Sequence, residues 1–535
     1  MERMYHMKAK GRKRVKEELK QRVTAKAAQI KRYTDRIKQY RQNRMFQDNQ
    51  RRFYDEIDRE GTQSNIIPDA EESKKFWGNI WGKEVSHNIN AEWIENTSKE
   101  MNVRQQENIK INKEKIKKRI SKMPNWKAPG PDGVQWYWMK GFTSLHERMA
   151  DQLDNCLETG RVPQWMTKGY TVLLMKDENK GGEVSNYRPI TCIPLLWKLF
   201  TGIISDEIYK HLEVNKALPD EQKGCRRSSR GTKDQLLIDK MVMRNCKRRQ
   251  VNLSMVWIDY RKAYDMVPHS WIRKTLEMCG VAENVKEVLS ESMKTWRTEL
   301  TSGNTSLGQV EIKRGIFQGD SLSPLLFVMC MIPLTYILRK VEAGYRLGQD
   351  RNRKINHLLF MDDLKLYGKN EGEAEVLTNT TRIFTKDINM EFGLQKCGYI
   401  NLEKGKVVNK GGMELTDGEF IEEIDKGKGY KYLGVLEADD ILHLKMKNAT
   451  RNEYYRRVRK ITGSKLNGGN VISAINTWAV SLMRYGAGVI KWTKEDLMQV
   501  DRKTRKIMTM NRIGCYILEV MLEDYICQEE KVEED

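Results

Sequence analysis

Two adjacent acidic residues mark the stretch of the sequence whose chemistry is easiest to interpret. Asp362 and Asp363 lie between two apolar half-strands in NHLLFMDDLKLYG. This pattern predicts a β-hairpin with the acid pair at its turn. Neighbouring carboxylates repel each other unless a cation neutralises them, and hard oxygen ligands suit Mg²⁺. The pair therefore indicates a divalent-metal site, although an ordinary exposed turn could carry the same residues.

A third carboxylate lies at the end of another predicted strand. MVWIDYRKAYD is an apolar run that ends at Asp259, where side chains point into a cleft. RGIFQGDSLSPLLF then predicts a Gly-flanked loop, with Gln318 at its bend, that leads into an apolar helix. Two-metal phosphoryl transfer needs carboxylates around two ions about 3.5–4 Å apart. The three acids are therefore candidates for that chemistry.

The elements around these acids predict an α+β fold. Short β-like runs alternate with helical segments from about residue 165, and the pattern becomes helical and basic from about residue 441. Residues 1–60 predict a long basic helix, which is either simply solvated or a surface that grips nucleic acid. Its apolar residues recur at helical spacing, namely Val23, Ile30, Tyr33, Ile37, Tyr40 and Phe46.

Charge and cysteine usage narrow the function classes. The 535 residues include 95 Lys and Arg against 73 Asp and Glu, a net charge of +22, which favours a nucleic-acid partner. Nine scattered cysteines without a CxxC pair predict reduced thiols in an intracellular protein. The longest apolar stretch, Leu322 to Leu338, contains two prolines and predicts a buried helix, so no membrane association is expected. KAKGRKRVK is a weak nuclear-targeting signal, and a location in nucleus and cytoplasm is expected.

Eight motifs occur in the order typical of one enzyme family. Between about residues 125 and 435 the chain contains KAPGPDG, NYRPIT, QKGCRRSSRGTKDQ, IDYRKAYD, RGIFQGDSLSP, FMDD, MEFGLQKC and YKYLGV. The chain thus resembles the reverse transcriptases of non-LTR, LINE-type retrotransposons, and in particular the branch whose elements carry a restriction-like endonuclease.

The resemblance implies a right-hand polymerase with fingers, palm and thumb. We expect a basic, mainly helical N-terminal extension over residues 1–115 and fingers and palm over 116–440. A helical thumb is expected over 441–512, followed by a divergent tail with an acidic end over 513–535.

The resemblance also implies the catalytic centre. Asp259, Asp362 and Asp363 correspond to the catalytic aspartates that hold two Mg²⁺ ions, with Mn²⁺ as an alternative, and the backbone carbonyl of Tyr260 contributes a ligand. For Asp363, a mainly structural role is the alternative to metal binding. Asp265 is expected to cap the helix after the turn, since Asp suits an N-cap.

Further residues match the family's nucleotide site. Arg188 and Lys176 correspond to the fingers cations that grip the triphosphate. Tyr264 occupies the steric-gate position, where an aromatic ring would clash with a 2′-OH and so select deoxynucleotides. Gln318 corresponds to the glutamine that packs near the nucleotide, and Lys396 to a lysine that protonates pyrophosphate. Each has a purely structural alternative, such as a surface cation or a core aromatic.

The implied partners are an RNA template, a DNA primer and dNTPs, while the oligomeric state stays open. In YKYLGV the primer grip, or a simple hairpin, is expected at Tyr432, Leu433 and Gly434. Met361 is expected under the primer end, or in the core. The thumb cations are expected to face the hybrid or solvent, namely Arg456, Arg457, Arg459 and Lys460.

The sequence also departs from the family pattern. Cys225, Phe317 and Met361 replace more usual residues, and the residues after Arg512 do not resemble the family's continuation, so a truncated copy is expected. An RNA-directed DNA polymerase derived from a retrotransposon is therefore the main hypothesis. The alternatives are a catalytically inactive RNA-binding remnant and, disfavoured by Tyr264, an RNA-dependent RNA polymerase.

Overall fold

The computed structural model describes residues 2–58, 67–177, 180–303, 305–348, 354–416, 418–511 and 513, with side chains in the first helix from residue 14 onward. These residues divide into two compact units. The smaller unit combines the described residues before Ser64 with those from Leu442 onward, and the larger unit comprises the described residues between Asn65 and Ile441. All of the described strands belong to the larger unit.

The larger unit contains two main sheets. The first has the strand order β2-β1-β4-β5 and consists of β1 (Lys168–Met175), β2 (Tyr187–Cys192), β4 (Arg297–Ser302) and β5 (Thr305–Glu311). The second has the order β11-β10-β3-β9-β8 and consists of β3 (Leu253–Ile258), β8 (His357–Phe360), β9 (Asp363–Gly368), β10 (Gly398–Glu403) and β11 (Lys406–Val407). Three short antiparallel pairs complete the strands, namely β6 (Tyr345–Arg346) with β7 (Lys354–Ile355), β12 (Met413–Glu414) with β13 (Phe420–Ile421), and β14 (Tyr430–Tyr432) with β15 (Val435–Glu437).

Helices surround these sheets. The first four helices along the chain within this unit are α3 (Ala70–Trp81), α4 (Glu92–Met101), α5 (Lys113–Ser121) and α6 (Trp136–Gly141). The middle group is α7 (Leu145–Thr159), α8 (Gln164–Thr167), α9 (Leu195–Val214), α10 (Thr232–Arg249) and α11 (Ala263–Met266). The last group is α12 (His269–Met278), α13 (Glu283–Met293), α14 (Ser323–Lys340) and α15 (Glu371–Asp387). The predicted mixture of helix and strand is confirmed.

Apolar sequence runs explain which elements lie at the centre. Every residue of β3 is buried, as expected for a continuous apolar strand with neighbours on both edges. α14 is long and apolar enough by length and composition to cross a membrane, but 72% of it is buried inside the protein. It begins with Pro324 in its first turn, where proline is favoured, and Pro333 lies inside it. The expectation of a buried helix is confirmed.

A charged cluster lies fully buried behind the second sheet. The ammonium group of Lys365, on β9, is 2.5 Å from Asp239 Oδ1 and 2.7 Å from Glu437 Oε1. It also lies 4.3 Å from the ring centroid of Trp257, whose indole N–H donates to Glu437 at 2.7 Å. Burial and the nearby charge of Asp239 raise the pKa of Glu437 well above its usual value. We call Lys365, Asp239 and Glu437 the Lys365 cluster.

The smaller unit is helical. Its helices are α1 (Glu2–Asp48), α2 (Gln50–Asp58), α16 (His443–Thr462), α17 (Gly468–Ala474), α18 (Val480–Gly486) and α19 (Lys494–Met510), with a π-helical turn over Ile475–Ala479. The predicted long N-terminal helix is confirmed. Of its six periodic apolar residues only Phe46 is buried, against Tyr455 and Val458 among others, while the five before it are exposed. Most of the described length of α1 is therefore solvated.

Several of the predicted thumb cations are paired inside this unit. Arg456 and Arg457 contact Glu453 at 2.7 and 2.9 Å. Arg456 also pairs with Asp58, and the backbone carbonyl of Asp58 accepts from Lys460 at 3.3 Å. These contacts neutralise part of the basic charge of α16.

The expected domain boundaries stay a prediction. The described residues up to Asp58 belong to the smaller unit, and those from Ile67 to Ile441 belong to the larger one. The expected N-terminal extension, in contrast, runs to residue 115. The expected acidic tail lies outside the described residues, apart from Ile513. The seven described cysteines are free thiols.

Candidate active site

Asp259 lies directly after the buried strand β3, as predicted. Its carboxylate Oδ1 accepts from the ammonium group of Lys396 at 3.1 Å, and its backbone carbonyl accepts from the amide of Gly393 at 2.7 Å. A Cβ atom at Gly393 would lie 2.9 Å from the same Oδ1. The MEFGLQKC segment therefore packs closely against the Asp259 carboxylate, and a larger residue than glycine at position 393 would require that carboxylate to shift.

The predicted hairpin is confirmed, with Asp362 in its turn and Asp363 at the start of β9. β8 and β9 pair antiparallel with Phe360 opposite Asp363, so that Met361 and Asp362 form the turn. Met361 has a backbone φ of 58°, in the left-handed region that residues other than glycine rarely adopt. Its side chain packs partly buried against the core, which was one of its two expected positions.

The Met361 turn is held by a buried glutamine. Gln222 Oε1 accepts from the amide of Met361 at 2.9 Å, and its Nε2 donates to the carbonyl of Met361 at 3.3 Å. The same Oε1 accepts from the amide of Gly224, where a Cβ atom would lie 2.7 Å from the nitrogen of Met361. The QKGC segment is one of the family motifs, but the sequence alone indicates no role for Gln222 or Gly224.

The carboxylates are close enough to affect one another's ionisation. Burial raises the pKa of Asp362, and the charge of Asp259 raises it further. Burial, Asp362 and Asp259 together raise the pKa of Asp363 to about 7. In the part of the chain that is described, no three acidic, His or Cys side chains are grouped closely enough to hold a metal ion as they stand.

Positive side chains gather around these acids. Partial burial lowers the pKa of Lys176, and the charges of Lys396 and Arg188 lower it further, while Asp265 and Asp259 oppose the shift. Arg188 and Lys396 also act on Asp362, whose pKa they lower. Arg188 is exposed on β2, opposite Leu174 of β1. The structure therefore brings together the three acids and the three cations that the sequence singled out.

Tyr264 and Gln318 lie beside this group. The half-buried ring of Tyr264 stacks on Phe327 at 4.9 Å with an interplanar angle of 8°, and burial together with the nearby Asp362 raises its pKa. The amide of Gln318 donates to Asp265 Oδ1 at 3.3 Å. The alternative in which Gln318 bonds its own backbone is not what the structure shows.

The expected role of Asp265 as an N-cap is wrong. The residue that precedes α11 is Lys262, and Asp265 lies inside that helix, buried. Its Oδ1 accepts from the indole N–H of Trp81 at 3.3 Å as well as from Gln318. Burial raises the pKa of this carboxyl to about 6, although the charge of Lys262 opposes the shift. Asp265 therefore links Gln318 to α3.

Lys262 is a residue that sequence reasoning missed. Its φ is 45°, and its ammonium group lies 4.3 Å from the ring centroid of Trp77. Burial lowers its pKa to about 8. The contact joins residues far apart along the chain, so no local pattern could have revealed it.

Two remaining candidates lie on backbone features. The ring of Tyr260 is buried 5.7 Å from Phe392, so Tyr260 could reach a ligand only through its backbone. In YKYLGV, Tyr432 ends β14, and Leu433 and Gly434 form a two-residue turn with φ values of 45° and 81°. The hairpin at this motif is confirmed, and a contact with a primer stays a prediction.

An antiparallel sheet with three carboxylates at neighbouring strand ends, close to Lys and Arg side chains, is the arrangement expected of a nucleotidyltransferase of the polymerase class. Residues 176–436 match the family described as reverse transcriptase (RNA-dependent DNA polymerase).

Curated relatives support this assignment. The chain is 28% identical over 327 residues to the retrovirus-related Pol polyprotein from type-1 retrotransposable element R2 of Popillia japonica, covering 58% of this chain and 43% of that protein. It is 21% identical over 392 residues to the corresponding type-2 element R2DM protein of Drosophila melanogaster, covering 70% and 34%. It is 25% identical over 219 residues to the RNA-directed DNA polymerase from mobile element jockey of Drosophila melanogaster, covering 40% and 23%.

The chain therefore carries a reverse transcriptase domain of the non-LTR retrotransposon type. It spans less than half the length of each of these three relatives.

Proposed function

We propose that the protein is an RNA-directed DNA polymerase that transfers nucleotides from dNTPs to a primer 3′-OH on an RNA template. The observation that carries this proposal is the meeting of Asp259, Asp362 and Asp363 with cationic side chains on neighbouring elements. Carboxylates and cations that lie near one another suit a reaction that moves a charged phosphoryl group and needs no protein nucleophile.

The three carboxylates suit divalent metal ions. Hard oxygen donors are what Mg²⁺ prefers, and the raised pKa values of Asp362 and Asp363 indicate a site in which added positive charge is favourable. Asp259 and Asp362 would be the main ligands, with Asp363 and the backbone carbonyl of Tyr260 beside them. Two bound ions would make the primer hydroxyl more acidic and neutralise the triphosphate.

The surrounding side chains have distinct roles in this proposal. Arg188 and Lys176 hold the triphosphate oxygens, since a guanidinium fork matches phosphate geometry. Lys396, which pairs with Asp259 in the free protein, exchanges that contact for the substrate and gives a proton to the departing pyrophosphate. The ring of Tyr264, braced by Phe327, excludes a 2′-OH, and Gln318 is held in place by Asp265.

The test is Mg²⁺-dependent extension of a DNA primer on an RNA template, with dNTPs and NTPs offered in parallel. We expect extension with dNTPs alone. Asp362→Ala should abolish extension and leave RNA binding nearly intact, because it removes a candidate metal ligand without touching a basic surface. Asp151→Ala, at an exposed position on α7, is the matched control.

Two outcomes would contradict the proposal. If Asp362→Ala extends primers like the parent protein, the assigned carboxylate site is wrong. If folded, RNA-bound parent protein gives no extension, the protein is instead an inactive RNA-binding remnant.

A further inference from the structure

A row of exposed aromatic rings lies on α6 and the segments that flank it. Trp126 and Tyr137 stack at 5.1 Å with an interplanar angle of 15°, and Trp138 and Phe142 stack at 6.0 Å and 14°. Tyr137 meets Trp138 edge-on at 5.3 Å, which joins the two pairs. The four side chains are 48–60% exposed. We call this surface the aromatic ladder.

The backbone under the aromatic ladder is attached to the start of α9. α6 buries Trp136 and Met139 and turns Tyr137 and Trp138 outward. In the preceding loop, Asp132 Oδ2 accepts from the amide of Leu195, and a Cβ atom at Gly130 would lie 2.5 Å from the nitrogen of Pro194. The rings therefore stand on a fixed base, and their exposure is not explained by packing.

The charge of the segment that carries the aromatic ladder is mainly positive. Residues 115–142 contain seven Lys or Arg side chains and a single acidic one, Asp132, whose oxygens accept from backbone amides. Five of these lysines form no ion pair with any described residue, namely Lys117, Lys118, Lys122, Lys127 and Lys140. The ammonium group of Lys140 contacts only a neutral oxygen, that of Asn125, at 2.9 Å.

A cavity beside the aromatic ladder continues this charge. Its volume is about 330 Å³, and Arg119, Lys127 and Lys198 line it together with one carboxylate, Asp320. The hydroxyl of Thr201 donates to that carboxylate at 2.6 Å, and burial raises its pKa to about 6. The cavity therefore presents more positive than negative charge to a ligand.

We propose that the aromatic ladder binds single-stranded nucleic acid, with bases stacked on its rings and phosphates held by the surrounding lysines. Every base offers a flat face to an aromatic ring, and a basic rim attracts the backbone. A protein partner is less suited, because the centres of protein interfaces are depleted in lysine. The proposal does not depend on catalysis, since none of the candidate catalytic residues belongs to the aromatic ladder.

The test compares binding of fluorescein-labelled oligouridine RNA and oligothymidine DNA of about 20 nucleotides, measured by fluorescence anisotropy over a range of salt concentrations. The double variant Trp126→Ala/Trp138→Ala should bind roughly tenfold more weakly, with an unchanged salt slope. Lys127→Ala/Lys140→Ala should instead reduce the dependence of affinity on salt concentration, because binding then neutralises fewer phosphates and releases fewer counterions. Trp165→Ala, which removes another exposed tryptophan, is the matched control.

Crosslinking of a 5-iodouridine oligonucleotide to the full chain gives a second readout. We expect crosslinked peptides from residues 123–142. An equal loss of affinity for RNA and DNA supports a surface that binds any single strand. A loss confined to one of the two nucleic acids shows that the surface distinguishes ribose from deoxyribose. Unchanged affinity in the tryptophan variant would overturn the proposal, and so would crosslinks found only outside residues 123–142. Unchanged nucleic-acid binding together with capture of a protein would assign the surface to a protein partner.

Discussion

The absence of a side chain at position 393 sets the space around the Asp259 carboxylate. Gly393→Ala would place a methyl group 2.9 Å from Oδ1, and the backbone φ of −87° is one that alanine adopts freely. We therefore expect primer extension to fall by about tenfold or more, about 1.4 kcal/mol in barrier, with little change in stability. Steady-state extension and a urea unfolding curve measure the two quantities.

Gly78→Ala is the control for this substitution, because a Cβ atom there would meet nothing within 4 Å. An active Gly393→Ala variant would mean that the close packing against Asp259 does not matter for the reaction.

The ring of Tyr264 is expected to select the sugar. Tyr264→Ala opens the space beside Phe327 and should raise the use of NTPs relative to dNTPs by about tenfold. Tyr264→Phe keeps the ring and should behave like the parent protein. Parallel extension assays with dNTPs and NTPs give the ratio, and an unchanged ratio in Tyr264→Ala would assign the ring to the core alone.

Sequence and structure agree best for single residues that follow a strong local pattern. Asp259 could be placed because it ends a continuous apolar strand, and Asp362 because it interrupts one. Lys262, Gln222 and Asp265 could not be placed, because their partners lie far along the chain, on α3 or on the hairpin turn.

At the scale of elements, the hairpin turn depends on Gln222. Its amide satisfies both backbone groups of Met361, whose left-handed backbone needs support. Gln222→Ala removes these bonds in a buried place and is expected to cost about 1–3 kcal/mol in stability and to slow extension. Urea unfolding and extension assays measure both effects, with exposed Gln309→Ala as the control.

If Gln222→Ala extended primers at the parental rate, the turn would hold its shape through its strands alone. A loss of stability without a loss of activity would limit Gln222 to folding.

Periodicity predicted the long N-terminal helix, the apolar helix and the strands around the acids. It did not predict that five of the apolar residues of α1 stay exposed, because spacing shows which side chains share a face and not what covers that face. The pairing of Arg456 with Asp58 was not predicted either, because the two residues lie far apart along the sequence.

At the scale of the whole molecule, buried histidines make stability depend on pH. Burial lowers the pKa of His357 and that of His269 to about 4, and for His357 the charges of Glu221 and Arg339 act in opposite directions. Between pH 4 and the usual histidine value of about 6.5, the unfolded chain binds more protons, so stability falls as the pH falls. Each histidine should contribute about 1.4 kcal/mol per pH unit there.

The measurement is the urea midpoint at pH 5 and pH 7. His357→Gln should narrow the difference between the two midpoints, because it removes one of the two contributions. An equal difference in the variant and the parent would show that His357 does not contribute to the acid sensitivity.

Composition and motif order were enough to predict the class of fold and the enzyme family, since these depend on charge balance and on many local patterns together. The division into two units depends on contacts between the two ends of the chain. Such contacts leave no mark in a single sequence.

The Lys365 cluster also constrains how this sequence can change over evolutionary time. Replacing Lys365 alone would leave Asp239 and Glu437 buried without a cation, and breaking a buried pair in this way typically costs about 3–5 kcal/mol. Replacing the three together by apolar residues of similar size can be nearly neutral. Descendants of this chain should therefore tend to keep all three residues or lose all three, and a lineage that holds only one or two is expected to have a less stable fold.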